Sequence, residues 1–324
     1  MNLQLQKNKD LKEFTTLGIG GCAAFFAEIQ TKQELKEAFL FAKNQDLPVF
    51  ILGGGSNLLF DDLGFSGLVI RNKIDFLQRS LQTEKELPNH LFKHPSNHPQ
   101  GCSIQVGAGY SLTKLAFETT KQGFSGLEFA LGIPASLGGA IYMNAGAFGD
   151  SISDLLQSVD FLFFNGEERT FLKSDLQFGY RFSSLQKLPG AIVGAELFLS
   201  SSSIKINTSS SSTSASLSCT ASEKALAFLQ QRQKKQPLNF KNAGSIFRNP
   251  KGLFAADLIE KADLKGFKIG GAEVSSLHAN FIINQGLATS QDVLELIAHI
   301  KSKVFEKHQV QLEEEIVYVS TDGK

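Results

Sequence analysis

Three consecutive glycines directly behind an apolar run constrain this chain more than any other feature. Val49-Phe50-Ile51 reads as a strand, and Leu52-Gly53-Gly54-Gly55-Ser56-Asn57 follows it. Glycine lets the backbone take positive φ and lets a ligand approach closely. A second small-residue stretch, Gly132-Ile133-Pro134-Ala135-Ser136-Leu137-Gly138-Gly139-Ala140, opens a long loop that ends Asn144-Ala145-Gly146-Ala147-Phe148-Gly149. A third, Asn242-Ala243-Gly244-Ser245-Ile246-Phe247-Arg248-Asn249-Pro250, follows a hundred residues on. Bare backbone N–H groups in succession form a concavity suited to phosphate oxygens. Two such loops in one chain point to a pyrophosphate held between them, and so to a dinucleotide cofactor. The glycines lack GxGxxG spacing and no helix pattern begins after Asn57, which argues against a Rossmann site. No GxxxxGK[ST] occurs, so a P-loop is excluded. Taken alone, Gly53–Gly55 also reads as a tight turn. The second loop shifts the reading toward binding, because long loops of small residues are more often functional than connecting.

With 324 residues the chain has room for two or three domains. Lys+Arg and Asp+Glu balance at 32 each, which gives no electrostatic reason to expect nucleic acid or an anionic membrane as partner. Cys22, Cys102 and Cys219 are odd in number, with no CxxC; this argues against a disulfide framework or a zinc ribbon and fits a reducing compartment. The N-terminus lacks an apolar h-region, and no apolar run approaches a membrane span. The expectation is a soluble, cytoplasmic protein without a metal.

Residues 14–70 read as strand, helix, strand, glycine loop, strand. Thr31-Lys32-Gln33-Glu34 has capping-box spacing, and Leu35, Ala38, Phe39 and Ala42 follow at helical spacing. Residues 84–100 are polar and carry Pro88, Pro95 and Pro99. His90, His94 and His98 lie there at i, i+4, i+8, but the prolines argue against the continuous helix face a metal site would need. Ser111–Gln122 reads as a helix capped by Ser111 and stopped by Gly123. Residues 156–199 are strand-rich, with a hairpin around Asn165-Gly166. Ser200–Ser218 is Ser-rich and reads as a connector, with a phosphorylated segment as the alternative. A helix over Ser222–Lys234 begins the last third. Strands at Phe281–Ile283 and Ile316–Val319 enclose a long helix, Ser290–His308, whose Val293, Leu294, Ile297, Ile300 and Val304 mark a core face. The fold class is therefore α+β.

Single residues carry less. Arg181, after Gly179-Tyr180, presents a planar fork to carboxylates or phosphates, though a lone Arg is usually a surface cation. Ser245 sits beside Gly244 with an accessible hydroxyl. No GxSxG elbow surrounds it, so a proton-transfer role fits better than a hydrolytic nucleophile. Glu313-Glu314-Glu315 precede a strand, and a charge run there ordinarily marks a solvated face. Arg232, Lys234, Lys235 and Lys268 read as surface charge that could meet a diphosphate. His278 and Asn280, beside a strand, read as groups that satisfy the backbone.

These segments, in this order, resemble the UDP-N-acetylenolpyruvoylglucosamine reductase family, in its shorter subtype. The resemblance rests on Phe14-Thr15-Thr16 to Gly20-Gly21, Leu52 to Leu59, Gly126 to Ala140, Met143 to Ala147, Phe178 to Arg181, Arg232 to Pro237, Asn242 to Pro250, Ile269 to Ala272, His278 to Phe281, and Leu312 to Ile316. Together they cover nearly the whole chain. The resemblance implies a two-part FAD-binding unit of the vanillyl-alcohol-oxidase (PCMH) type, followed by a smaller α/β substrate-binding domain. The implied divisions are 1–70 and 71–200 for the FAD-binding subdomains, 201–221 for the connector and 222–324 for the substrate domain. It further implies NADPH-dependent reduction of UDP-N-acetylglucosamine enolpyruvate to UDP-N-acetylmuramate, a peptidoglycan precursor, through non-covalent FAD. By residue-wise transfer, Arg181, Ser245 and Glu315 are catalytic. Gly53, Gly54, Gly55, Ser56, Asn57, Gly132, Ile133, Pro134, Ser136, Gly138, Gly139, Asn144, Ala145 and Gly146 hold the cofactor. Tyr180, Arg248, Asn249, Lys268 and His278 lie near the substrate. The chain departs from the family at Ala135, where glycine is common, and at the two threonines after Phe14. Competing readings are another flavoprotein oxidase of the same fold, and a protein that binds a nucleotide sugar without turnover.

Overall fold

A computed structural model describes residues 3–82, 101–201 and 220–323. The histidine-bearing stretch 84–100, Cys219 and nearly all of the Ser-rich segment lie outside the described residues; Ser200 and Ser201 end a strand, Gly190–Ser201. The helices are α1 (Lys32–Asn44), α2 (Leu112–Lys121), α3 (Leu137–Tyr142), α4 (Ala221–Lys235), α5 (Ala255–Lys261) and α6 (Ser290–His308). The chain forms two compact units, one built from Met1–Asn72 with Arg232–Lys324 and the other from Lys73–Gln231. The sequence divisions 1–70 and 222–324 thus fall largely in one unit.

In the discontinuous unit, Gln6–Asp10 pairs antiparallel with Cys22–Ile29, which pairs in parallel with Phe65–Asn72, itself parallel to Val49–Leu52. Parallel strands need a crossover, and α1 supplies it. Thr31 Oγ1 accepts the Glu34 N–H and the Glu34 carboxylate accepts the Thr31 N–H, both at 3.1 Å, so the predicted capping box is formed. The face Leu35, Ala38, Phe39 and Ala42 is buried as its spacing predicts.

The glycine loop leads into a short strand, Leu58–Phe60. Its parallel partner is Val317–Val319, near the other end of the chain. That pairing joins the two chain segments. One apolar cluster runs through both, with Leu17, Ile19 and Leu59 packed among Ile246, Phe247, Val293 and Ile297. Each such fully buried aliphatic or aromatic side chain contributes roughly 1.5–3 kcal/mol.

The rest of this unit is an antiparallel sheet in the order Lys241–Ser245, Phe281–Asn284, Ala272–Val274, Lys268–Ile269. Helix α6 spans the predicted residues, and its buried face includes Val293, Leu296, Ile297, Ile300 and Val304. Leu294 is only half-buried; a core-facing stripe is about 100° wide, and Leu294 falls on its rim. Asp62 caps this helix from the other segment, its carboxylate meeting the Ser290 N–H at 2.8–2.9 Å. A carboxylate there also complements the positive end of the helix dipole.

The second unit is centred on an antiparallel sheet ordered Glu168–Leu172, Leu156–Phe163, Gly190–Ser201, Gly101–Gly107, Leu77–Gln82. The hairpin at Asn165-Gly166 is present. Asn165 Oδ1 accepts the Glu167 N–H at 2.9 Å, and Gly166 takes φ +90°. Helix α2 is capped by Ser111 and ends before Gly123, as expected. The stretch 132–149 is not one long loop. It contains α3, capped by Ser136, whose hydroxyl accepts the Gly139 N–H at 3.3 Å.

Candidate functional site

The predicted site residues divide between the units. Gly53–Asn57, Ser245, Arg248, Asn249, Lys268, His278 and Glu315 belong to the discontinuous unit, and Gly132–Gly146, Tyr180 and Arg181 to the other.

In the discontinuous unit the glycine loop turns sharply at Gly55, which has φ +66°. A Cβ on Gly55 would stand 1.8 Å from the Phe14 carbonyl oxygen, so only glycine fits. The Gly55 carbonyl accepts the Thr16 N–H at 3.0 Å, and the Thr16 hydroxyl donates to the Asn242 carbonyl at 2.7 Å. Thr16, the second of the two threonines that depart from the family pattern, therefore ties the loop to the strand leading to Ser245. Among the described residues, no acceptor meets the N–H groups of Gly54, Gly55 or Ser56. A run of donors without protein acceptors fits phosphate oxygens.

Ser245 closes the strand Lys241–Ser245, paired opposite Phe281, just past an irregularity in the register. Gly244 before it has φ +78°, and a Cβ there would meet only the Ser56 carbonyl oxygen, at 3.9 Å. The backbone beside Ser245 is thus open and adjoins the glycine loop. Glu315 reaches the same place from the far end of the chain. Its N–H donates to the Ile246 carbonyl at 2.7 Å, and its carbonyl accepts the Asn57 side-chain amide at 2.9 Å. The acidic run precedes the strand Val317–Val319 without joining it. Glu314 bridges to Phe247 and pairs with Lys301 at 2.7 Å. Glu313 and Glu314 are exposed, whereas Glu315 is half-buried.

The substrate-side residues differ in how far they are committed elsewhere. The Arg248 N–H donates to the Glu313 carbonyl at 2.9 Å, while its buried Nε finds no partner among the described residues. Asn249 Oδ1 accepts the Ala255 N–H at 3.0 Å at the start of α5. Lys268 pairs with Glu273 at 3.2 Å, a largely buried carboxylate that the Gln285 amide also serves. His278 stacks edge-on against Phe281 at 4.7 Å. Burial holds the His278 imidazole below the usual histidine range, so it is neutral near pH 7.

In the second unit the small-residue segment is fixed from both sides. Thr113 Oγ1 donates to the Ile133 carbonyl at 2.7 Å, and the Leu112 N–H to the Ala135 carbonyl at 2.9 Å. Gly138 donates its N–H to the Ala108 carbonyl at 2.8 Å. A Cβ on Gly138 would come within 3.0 Å of the Ala108 Cβ, so this glycine serves close packing. Tyr180 and Arg181 form the turn between two short strands, Phe178–Gly179 and Phe182–Ser183. Arg181 takes φ +55°, a left-handed conformation that costs a non-glycine residue roughly 1–2 kcal/mol. Surrounding groups hold it there. Asn144 donates to the Gly179 carbonyl at 2.9 Å, and Ser183 and Gln186 each donate to the Tyr142 carbonyl at 2.7 Å. The Arg181 guanidinium donates to the Gly146 carbonyl at 3.3 Å and lies over the Tyr180 ring. An always-charged fork is thereby fixed against the segment Asn144–Gly146.

Residues 236–319 match the family described as the C-terminal domain of UDP-N-acetylenolpyruvoylglucosamine reductase, and residues 23–171 match the FAD binding domain family. The chain is 47% identical to the UDP-N-acetylenolpyruvoylglucosamine reductase of Protochlamydia amoebophila, over 98% of this chain and 95% of that one. It belongs to the UDP-N-acetylenolpyruvoylglucosamine reductase family. The Chlamydia felis relative of the same name is 37% identical over 94% of this chain and 91% of its own. The crystal structure of the Thermus caldophilus reductase superposes with a TM-score of 0.72 at 32% identity, covering 98% of this chain and 99% of that one. The expected architecture, an FAD-binding unit followed by a smaller C-terminal domain, is thus the family's own. The N–H groups of Gly54, Gly55 and Ser56, which meet no acceptor among the described residues, fit that cofactor. Among the described residues no helix is long and apolar enough to cross a membrane, and no group of His, Cys, Asp or Glu could hold a metal ion.

Sequence reasoning passed over several residues that hold this reductase-family site together. Asn280 satisfies backbone groups of Phe247, as its place beside a strand suggests, whereas Gln186 carries no signal and Asn242 figures only within the third small-residue stretch. Asn242 shapes the bend before Ser245 by accepting the Gly244 N–H at 2.9 Å. An Asn two residues ahead of a glycine is the signal that could have found it.

Proposed function

We infer that this chain reduces UDP-N-acetylglucosamine enolpyruvate to UDP-N-acetylmuramate at the expense of NADPH, with dissociable FAD as cofactor. FAD, when bound, would supply the two-electron redox chemistry between NADPH and the enolpyruvyl ether. The residues assigned to hold it are Gly53, Gly54, Gly55, Ser56 and Asn57 in the discontinuous unit, and Gly132, Ile133, Pro134, Ser136, Gly138, Gly139, Asn144, Ala145 and Gly146 in the other. The chain's remaining task is to manage charge and a proton. As hydride adds, negative charge develops over the α-carbon and its carboxylate. Arg181 stabilises that charge, and a fixed cation in a water-poor site does so without reorganising. Glu315 positions and polarises the same carboxylate. Ser245 gives its hydroxyl proton to the α-carbon; a serine is a weak acid, so it acts on a strongly basic carbon and recovers its proton from solvent. Arg248, with its buried unpartnered Nε, together with Tyr180, Asn249, Lys268 and His278, receives the rest of the substrate.

The observation that carries this reading is the bond from the Glu315 N–H to the carbonyl of Ile246, the residue after Ser245. It supports the reading by joining the segments that carry Ser245 and Glu315, beside the glycine loop. A cytoplasmic location without nucleic acid or membrane as partner goes with the balanced charge of the chain. The matches over 23–171 and 236–319 support an FAD-binding part ahead of a C-terminal domain, and the boundary between two FAD-binding subdomains at 70 and 71 and the connector 201–221 belong to the proposal.

Anaerobic spectroscopy of the purified protein tests the reading. A flavin spectrum should bleach with NADPH and return only on addition of UDP-N-acetylglucosamine enolpyruvate. A flavin that bleaches and never returns rejects the substrate and favours an oxidase of the same fold. Absence of flavin even after added FAD favours a nucleotide-sugar binder.

A further inference from the structure

Asn280 is 4% exposed and lies immediately before the strand Phe281–Asn284. Its side chain pairs with the backbone of Phe247 in both directions. Oδ1 accepts the Phe247 N–H at 3.0 Å, and Nδ2 donates to the Phe247 carbonyl at 2.8 Å. Its own main-chain carbonyl accepts the Ile246 N–H at 2.9 Å. One residue therefore holds the two positions that follow Ser245 through three hydrogen bonds.

The need for such a clamp is local. Between Asn242 and Ser245 the ladder to the neighbouring strand breaks register, and Gly244 has positive φ. A strand with an irregularity of this kind bends and loses ladder bonds at that point. The direction of the Ser245 side chain is then set by what grips the chain just beyond it. The carbonyl of Ile246, fixed by this clamp, accepts the N–H groups of Glu315 at 2.7 Å and Ile316 at 3.3 Å. Holding Ile246–Phe247 thus also holds the backbone of Glu315.

We propose that Asn280 is a positioning residue for the protonation of the substrate, aiming Ser245 and Glu315 together through Ile246 and Phe247. The proposal rests on the roles given to those two residues above. The side-chain type follows from the geometry. A planar amide offers one donor and one acceptor to a peptide unit, as a strand neighbour would. An ionised Asp keeps the acceptor, loses the donor, and sets a carboxylate against the Phe247 carbonyl.

The test compares wild type, Asn280→Asp and Asn280→Ser as flavin-loaded enzymes. The two half-reactions are followed separately by anaerobic stopped flow: bleaching by NADPH, then return of colour with UDP-N-acetylglucosamine enolpyruvate. Misplacing reacting groups by about an ångström costs on the order of 100-fold. Asn280→Asp should therefore slow colour return by about 10- to 100-fold, with bleaching within about twofold of wild type. Asn280→Ser, which keeps one donor, should fall between. In a Ser245→Ala background the Asn280→Asp effect should shrink to less than half on a logarithmic scale, because residues acting through one another are not additive. Parallel slowing of both half-reactions overturns the proposal, since a merely structural loss acts on both. Full additivity with Ser245→Ala also overturns it. Where Asn280→Asp does not fold, Asn280→Ser and the double-mutant comparison built on it decide in the same way. A wild-type enzyme whose colour never returns would instead refute the reductase reading.

Discussion

The Asn57 side-chain amide donates to the main-chain carbonyl of Glu315 at 2.9 Å, across 258 positions of sequence. The Asn57 carbonyl in turn accepts the Val317 N–H at 3.0 Å. The end of the glycine loop and the segment carrying the carboxylate are thereby laced together. Asn57→Ala removes the first of these bonds. A bond of this kind contributes about 1 kcal/mol net, and the freed segment should lower turnover by about fivefold. Steady-state kinetics of a flavin-loaded variant would check this, and wild-type turnover would show that the Val317 bond suffices.

Ser245→Ala should lower the rate of colour return by about two to four orders of magnitude while leaving bleaching by NADPH near wild type. A loss under about tenfold removes the serine from its assigned role.

The left-handed backbone of Arg181 sets up an unusual comparison. At most turn positions without such strain, Ala is at least as stable as Gly. Here Arg181→Gly should be about 1 kcal/mol more stable than Arg181→Ala, because only glycine adopts that φ freely. Both variants should be nearly inactive. Urea unfolding of the pair reads the difference directly, and an Ala variant as stable as the Gly variant would refute the strain.

Gly55→Ala places a methyl group where the Phe14 carbonyl oxygen lies 1.8 Å away. The clash is with backbone and the φ is positive, so the loop must rearrange. The purified variant should carry little flavin and should take up added FAD poorly, as measured by absorbance after gel filtration. Stoichiometric flavin would mean that the loop tolerates the shift.

Tyr318 donates its hydroxyl to Asp61, joining the strand Val317–Val319 to the end of Leu58–Phe60. The bond to a carboxylate, with burial second, pushes the phenol up to about 12. Because the folded value is raised, the stabilisation is whole below about 10, the ordinary phenol value, and is lost as pH climbs through about 12. Urea midpoints measured from pH 9 to 12 should fall more steeply for wild type than for Tyr318→Phe. Parallel curves would show that the bond does not stabilise the fold.

What the sequence made readable was local. The Thr31–Glu34 capping box, the Asn165-Gly166 turn and the span of α6 follow from neighbours within four positions, and each is formed. Helix α3 was not readable, because Gly138 and Gly139 are poor helix formers. There the Ser136 cap and close packing on Ala108 override propensity. Arg181 gave no sign of its backbone, since a positive-φ turn position ordinarily advertises itself with Gly or Asn. The pairing of Asn280 with Phe247 spans 33 positions, and no pattern along the chain encodes it. The family resemblance supplied what local physics could not, a reason to single out Glu315 from three adjacent acids.

The unit that holds Ser245 and Glu315 is made of two stretches of chain with the whole of the other unit inserted between them. During synthesis the inserted unit emerges complete, while the first 72 residues wait for partners more than 150 residues away. Closing so distant a contact is entropically slow. The strand Leu58–Phe60 in the meantime has an unpaired edge and exposed apolar side chains. Assembly of the glycine loop, the serine and the carboxylate should therefore come late in folding, after the inserted unit has left the ribosome.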